Sequence, residues 1–206
     1  MASPPRLGGT PPKPMSTPAR KPLHTRRITY EGFLREDGLF EMEAELVDTK
    51  GEVLHLVERG AVEPGEPVHH MRARVTFDDE MKVVDAQAWM DSSPFPDCVA
   101  ATGPMQRLVG ASIGRGWRRT LDEAMGGVAG CTHLRELLTG LATAAIQTVF
   151  GHAEAQRRQA GTPLPSPQDP PPYYMGKCMS WDFDGPVVKR VMPAFYRWRP
   201  GPDKGN

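Results

Sequence analysis

The chain has 206 residues, and its 25 basic and 25 acidic side chains cancel, so no global field recruits a nucleic acid or an anionic membrane surface. No apolar run approaches the roughly 18 residues that span a bilayer, and the N-terminus carries prolines and basic residues where a leader would be apolar. A cytoplasmic protein is expected, with one core of roughly 130 to 150 residues, because the 22 prolines gather toward the ends.

Residues 1–25 hold seven prolines, several basic residues and no acid, so they bury too little apolar surface to offset their ordering entropy. A disordered basic arm is predicted there. From residue 26 the pattern changes to period two. Phe40, Met42, Ala44 and Leu46 alternate with Glu41, Glu43 and Glu45, and Asp37-Gly38 supplies a hairpin turn back to a strand over 27–35. A short element over 53–57 and a turn at Glu63-Pro64-Gly65-Glu66-Pro67 follow.

Residues 68–77 alternate again and place His69, Met71, Ala73, Val75 and Phe77 on one face. The next strand, 82–90, sets Val84, Ala86, Ala88 and Met90 against Asp85, Gln87 and Trp89. The two prolines of 92–98 end it and leave Cys98 on or just after a loop. Helical patterns then cover 103–109, 117–125 and 131–157, the last with an apolar stripe of Leu134, Leu137, Leu138, Leu141, Ala145 and Val149. A Pro-rich strap at 160–172, a closing hairpin of 177–182 and 187–191 around Asp184-Gly185, and a loose tail at 196–206 complete the chain. The expected architecture is one α+β domain over 26–195: an antiparallel meander of four to five strands with about three helices on one face.

Three widely spaced cysteines, Cys98, Cys131 and Cys178, do not make a disulfide framework and read as reduced thiols. The sharpest pair is Cys131 and His133, where a Gly-rich turn runs into the long helix. There the helix dipole and orphan N–H groups suit a thiolate that binds metal or attacks a substrate. Residues two apart on a helix lie about 200° apart around the axis, so both face one site only if Cys131 still belongs to the turn. A tetrahedral site of Cys98, Cys131 and His133, completed by Asp91, His69, Cys178 or water, would hold zinc or an iron-sulfur cluster. Each has a plain structural reading too: buried small thiol, turn-forming carboxylate, hydrogen-bonded core histidine. An enzyme on a small aromatic or acyl substrate, with Cys131 as nucleophile or acid and His133 or His69 as base, uses the same residues. A structural or interaction domain without chemistry is the third reading. No phosphate-cradling Gly-rich loop and no Gly-x-Ser-x-Gly elbow occurs.

Asp37-Gly38-Leu39, Leu46-Val47-Asp48-Thr49-Lys50, Pro67-Val68-His69, the stretch from Pro94 to Cys98 and Gly130-Cys131-Thr132-His133-Leu134 together resemble a bacterial family of unknown function, over about residues 26–195. The layout of strands, Cys98 loop and terminal Ala-rich helix is similar to iron-sulfur cluster assembly scaffolds of the IscU and NifU N-terminal type. That resemblance implies a metal site at one end of the sheet, with Cys98 matching the cysteine after the last strand. Across these readings the expected partner is a metallo-protein or a small-molecule substrate. The scaffold's Gly-Cys-Gly is Pro-Asp-Cys here, its next aspartate is Ala100, and its His-Cys order becomes Cys131 then His133.

Overall fold

The computed structural model describes residues 18–114, 116–166, 168–172 and 174–199. Most of the arm and residues 200–206 of the tail lie outside the described residues. The chain divides into two compact units, Met1–Val149 and Phe150–Asn206.

The first unit is an α+β fold. Strands β1 (His24–Leu34), β2 (Phe40–Lys50), β5 (Pro67–Phe77) and β6 (Val83–Ser92) form an antiparallel sheet in the order β1-β2-β5-β6. Strands β3 (Leu54–Leu56) and β4 (Gly60–Val62) make a small hairpin between β2 and β5. Period-two patterning accounts for the sheet. In β2, Phe40, Met42, Ala44, Leu46 and Asp48 are buried while the residues between them are half-buried. Gly38, at φ 84°, supplies the left-handed step of the hairpin between β1 and β2.

One face of this sheet is covered. A 3₁₀ segment (Pro96–Leu108), α1 (Trp117–Met125) and α2 (Thr132–Gln159) follow β6. Met105, Leu108, Trp117, Leu121, Met125 and the Leu134, Leu137, Leu138, Leu141 stripe of α2 join Met42, Leu46, Val75 and Phe77 in one core. Tyr30 Oη donates to the Leu137 carbonyl at 2.9 Å and Trp117 Nε1 to the Leu138 carbonyl at 2.8 Å. The helix lies so close to β1 that a Cβ at Gly140 would fall 2.1 Å from Tyr30 Oη.

The other face is a lattice of charges. Arg74 reaches Glu43 and Arg72 reaches Asp91, each at 2.7 Å, and both guanidiniums stand 5.6 Å from the Trp89 ring.

Three expectations change. The first strand begins at His24, inside the expected arm, because its pairing with Lys50 completes the β2 ladder. Val83, not Val84, is buried, since the β5–β6 register shifts at Thr76/Phe77 and the bulge turns the strand by one residue. The segment read as helix over 103–109 is a 3₁₀ run from Pro96 with Pro104 inside, which leaves no N–H at 104 for an α-helical bond.

In the second unit the expected hairpin is replaced by a 3₁₀ turn (Met179–Trp181) and α3 (Pro186–Val191). Pro186 cannot donate to a strand ladder but suits a first helical turn, and Val188, Met192 and Phe195 fall at helical spacing onto one apolar cluster. Met175 completes that cluster, with Tyr174, Trp181, Phe183, Tyr196 and Trp198 packed on it, so residues 196–199 are part of the unit rather than a loose end.

Gly130 joins α1 to α2 in close contact with Met125: an added Cβ would lie 2.6 Å from both Met125 Cβ and its carbonyl oxygen. The obstacle is largely backbone. Gly130→Ala is expected to cost about 1 to 3 kcal/mol in urea unfolding, the usual cost of overpacking.

Candidate functional site

The site lies where β1, β2 and β5 present one end of their covered face to the first turn of α2. The alternation that buries Leu46 carries on to Asp48, which is 2 % exposed. A carboxylate there needs partners, and four donor groups surround it. Arg26, its cross-strand neighbour, donates from Nε to Oδ1 at 2.8 Å and from Nη2 to Oδ2 at 2.7 Å. His24 Nε2 stands 3.4 Å from Oδ1. His69, from β5 and opposite Asp48 in the ladder, donates from Nδ1 to Oδ2 at 3.1 Å. Arg26 is also held by Glu136 of α2.

The helix brings the remaining groups. The Arg135 N–H bonds the Cys131 carbonyl at 2.9 Å, so Cys131 caps α2 and Thr132 begins it. With Cys131 outside the helix, its Sγ comes within 3.8 Å of His133 Nδ1, as the geometry of a two-residue spacing requires. His133 in turn lies over His69, ring centroids 4.0 Å apart and planes 36° from parallel. Ligand atoms of Asp48, His69 and His133 all lie within 4.8 Å of one another.

The electrostatics follow from burial and these neighbours. Burial pushes the Asp48 carboxyl up, but the Arg26 fork, aided by His24 and His69, outweighs it and holds the group below the ordinary carboxylate value. Asp48 in turn raises Arg26 further. Burial pulls His69 below 6.5, and the neighbouring His133 adds to that; the attraction of Asp48 does not reverse it. His69 is therefore neutral at pH 7, with its proton on Nδ1 toward Asp48 and its Nε2 lone pair available.

Of the residues singled out in sequence, the structure brings His69 and His133 together and sets Cys131 beside His133, outside the Asp48–His69–His133 group. It does not bring the others to them. Asp91 is committed to Arg72 on the open face of the sheet. Cys98 sits in the 3₁₀ segment, half-buried, and among the described residues belongs to no cluster of three ligand-type side chains. Cys178 is exposed in the second unit. Sequence reasoning misses Asp48, Arg26 and His24 as site residues. Extending the Phe40-Met42-Ala44-Leu46 alternation by one step puts an acid on the core side, and that is the available signal.

Two expectations follow from this geometry. Asp48→Asn removes the buried charge on which Arg26 and His69 converge and leaves Arg26 with Glu136 alone; it should destabilise the fold by about 3 kcal/mol in denaturant unfolding. His69 takes up a proton more readily unfolded than folded, so its contribution to stability is complete above pH 6.5 and falls as the pH drops from there toward its lowered folded value. Unfolding measured with chelator from pH 7.5 to 5 should show that loss, and His69→Asn, which keeps a donor toward Asp48, should flatten the slope.

No curated protein and no solved structure matches the chain. Residues 24–147 match a family described as "Protein of unknown function (DUF2889)", a span that takes in β1 through most of α2 and every residue of the site just described. The chain is thus a member of the DUF2889 family, and the Asp48–His69–His133–Cys131 cluster lies inside the segment that defines its membership.

Proposed function

We propose that the cluster binds a single transition-metal ion of the zinc type through His69 Nε2, the His133 imidazole and the Cys131 thiolate, with a fourth position left for water or substrate. The observation that carries this reading is the side-by-side placement of two imidazoles from different elements, 4.0 Å apart, over a buried carboxylate. A protein has little reason to stack two titratable rings at a helix start unless something shares their lone pairs.

Asp48 is assigned as the positioning group rather than a ligand. Its oxygens already accept two bonds from Arg26 and one from His69, with His24 Nε2 3.4 Å away, and a carboxylate so occupied has little left for an ion. Its contact with His69 Nδ1 fixes the tautomer and leaves Nε2 as the ligating nitrogen, the carboxylate–histidine–metal pattern. Two imidazoles, one thiolate and an open position match catalytic zinc sites better than closed structural ones. With a single thiol beside the paired histidines, a mononuclear ion is favoured over an iron-sulfur cluster. We place the protein in the cytoplasm on its free cysteines; among the described residues no helix is long and apolar enough to cross a membrane.

A second reading rests on the Asp48–His69 contact itself. A neutral imidazole oriented by a carboxylate suits a general base, and His133 beside Cys131 is placed to accept the thiol proton, so the same mouth could act on a small acyl or aromatic substrate without a metal.

Metal analysis of untagged protein decides between them. About one equivalent of metal per chain is expected, lost in His69→Ala and His133→Ala. Cobalt substitution should give a thiolate charge-transfer band that disappears in Cys131→Ser. A chain that neither retains nor takes up zinc or cobalt overturns the metal reading, and rapid, selective alkylation of Cys131 would then support the thiol enzyme.

A further inference from the structure

We propose that β1 joins the β1 of a second copy of this chain across a two-fold axis at Thr29, making one continuous eight-stranded sheet. Among the described residues β1 pairs with β2 and with no other strand, so one edge of its 11-residue ladder has backbone donors and acceptors without a strand partner. Protein edges of this length are ordinarily interrupted. The opposite edge of this sheet is, since β6 shifts register twice against β5 and Lys82 just before it bridges Ser112. β1 contains no proline and no register shift. It remains the one long, regular edge of the sheet.

Its side chains say what it would accept. Arg27 and Glu31 are exposed on the open face, and among the described residues neither side chain has a hydrogen bond or an ion pair. They stand symmetrically about Thr29. In an antiparallel pairing of β1 with its own copy centred on that residue, Arg27 of each chain lies opposite Glu31 of the other, giving two ion pairs. Thr29 then faces Thr29. On the covered face Ile28 meets Tyr30, and Arg26 meets Gly32, which offers it no side chain to clash with. These opposite-charge, threonine and branched–aromatic combinations are the stabilising cross-strand pairs of antiparallel sheets. Moving the axis by one residue either way sets Arg27 against Thr29 or Phe33 and Glu31 against Thr25 or Thr29, and both charge pairs vanish. Charge complementarity thus selects both the occupant, an identical strand, and its register. The contact is isologous and closes at two copies, so it does not propagate into a fibre.

The test is a charge swap on the full chain, read by light scattering after size exclusion. Wild type should run at twice the mass of one chain. Arg27→Glu sets acid against acid at both charge positions of the pairing, and Glu31→Arg sets arginine against Arg27; each alone should run as a single chain. An equimolar mixture of the two single variants restores ion pairs across the axis and should return to twice the mass, as should the double variant by itself. The mixture separates the proposal from misfolding, because an unfolded variant would not form the mixed dimer. A wild type that stays at one chain's mass at high micromolar concentration, a dimer indifferent to Arg27→Glu, or a mixture that remains monomeric overturns it.

Discussion

The Asp48 carboxylate is the constraint around which the end of this sheet is arranged. A charge that is 2 % exposed cannot be left alone, because the cost of taking it from water exceeds anything a single neighbour returns. Arg26 from β1, His69 from β5 and His24 at the start of β1 therefore converge on it, and Glu136 brings the first turn of α2 onto Arg26. Three strands and a helix are tied at one point by the need to satisfy one acid.

That tie also sets up the chemistry. With its Nδ1 proton directed to Asp48, His69 keeps only Nε2 as a lone-pair donor, and its ring lies against that of His133 at the helix start, where Cys131 also stands. The close packing of Gly130 on Met125 fixes how the chain enters α2, and Cys131 as the capping residue shares a side with His133 only because the helix has not yet begun. The apolar remainder of α2 has a different task. Leu134, Leu137, Leu138 and Leu141 hold the helix on the sheet so firmly that the polar first turn has a stable frame.

Much of this is legible from residues alone where a strong period exists. The β2 alternation, the Asp37-Gly38 turn, the bounds of α1 and the start of α2 all stand close to expectation, because each rests on local chemistry: side-chain period, glycine freedom, helix capping. Misreadings arise where local pattern is thin or contested. Val84 is assigned to the wrong face because a bulge is set by pairing with Phe77, and 177–191 reads as a hairpin because a six-residue helix with branched residues looks like a strand. The candidate site is half visible. His133 and Cys131 announce themselves by spacing, whereas Cys98 and Asp91 attach to them by type, and type says nothing about which side of a sheet a residue faces.

By itself the amino-acid order determined the kinds of element, their sequence along the chain and the side of each strand that must be buried, since these follow from periodicities of two and 3.6 and from turn chemistry within a few residues. Only the tertiary structure decided that Asp48 of β2, His69 of β5 and His133 of α2 stand together and that Asp91 stands apart on the other face. The physical reason is that a site is assembled by strand register and helix docking between segments tens of residues apart, and those are fixed by packing the whole core, not by any local preference.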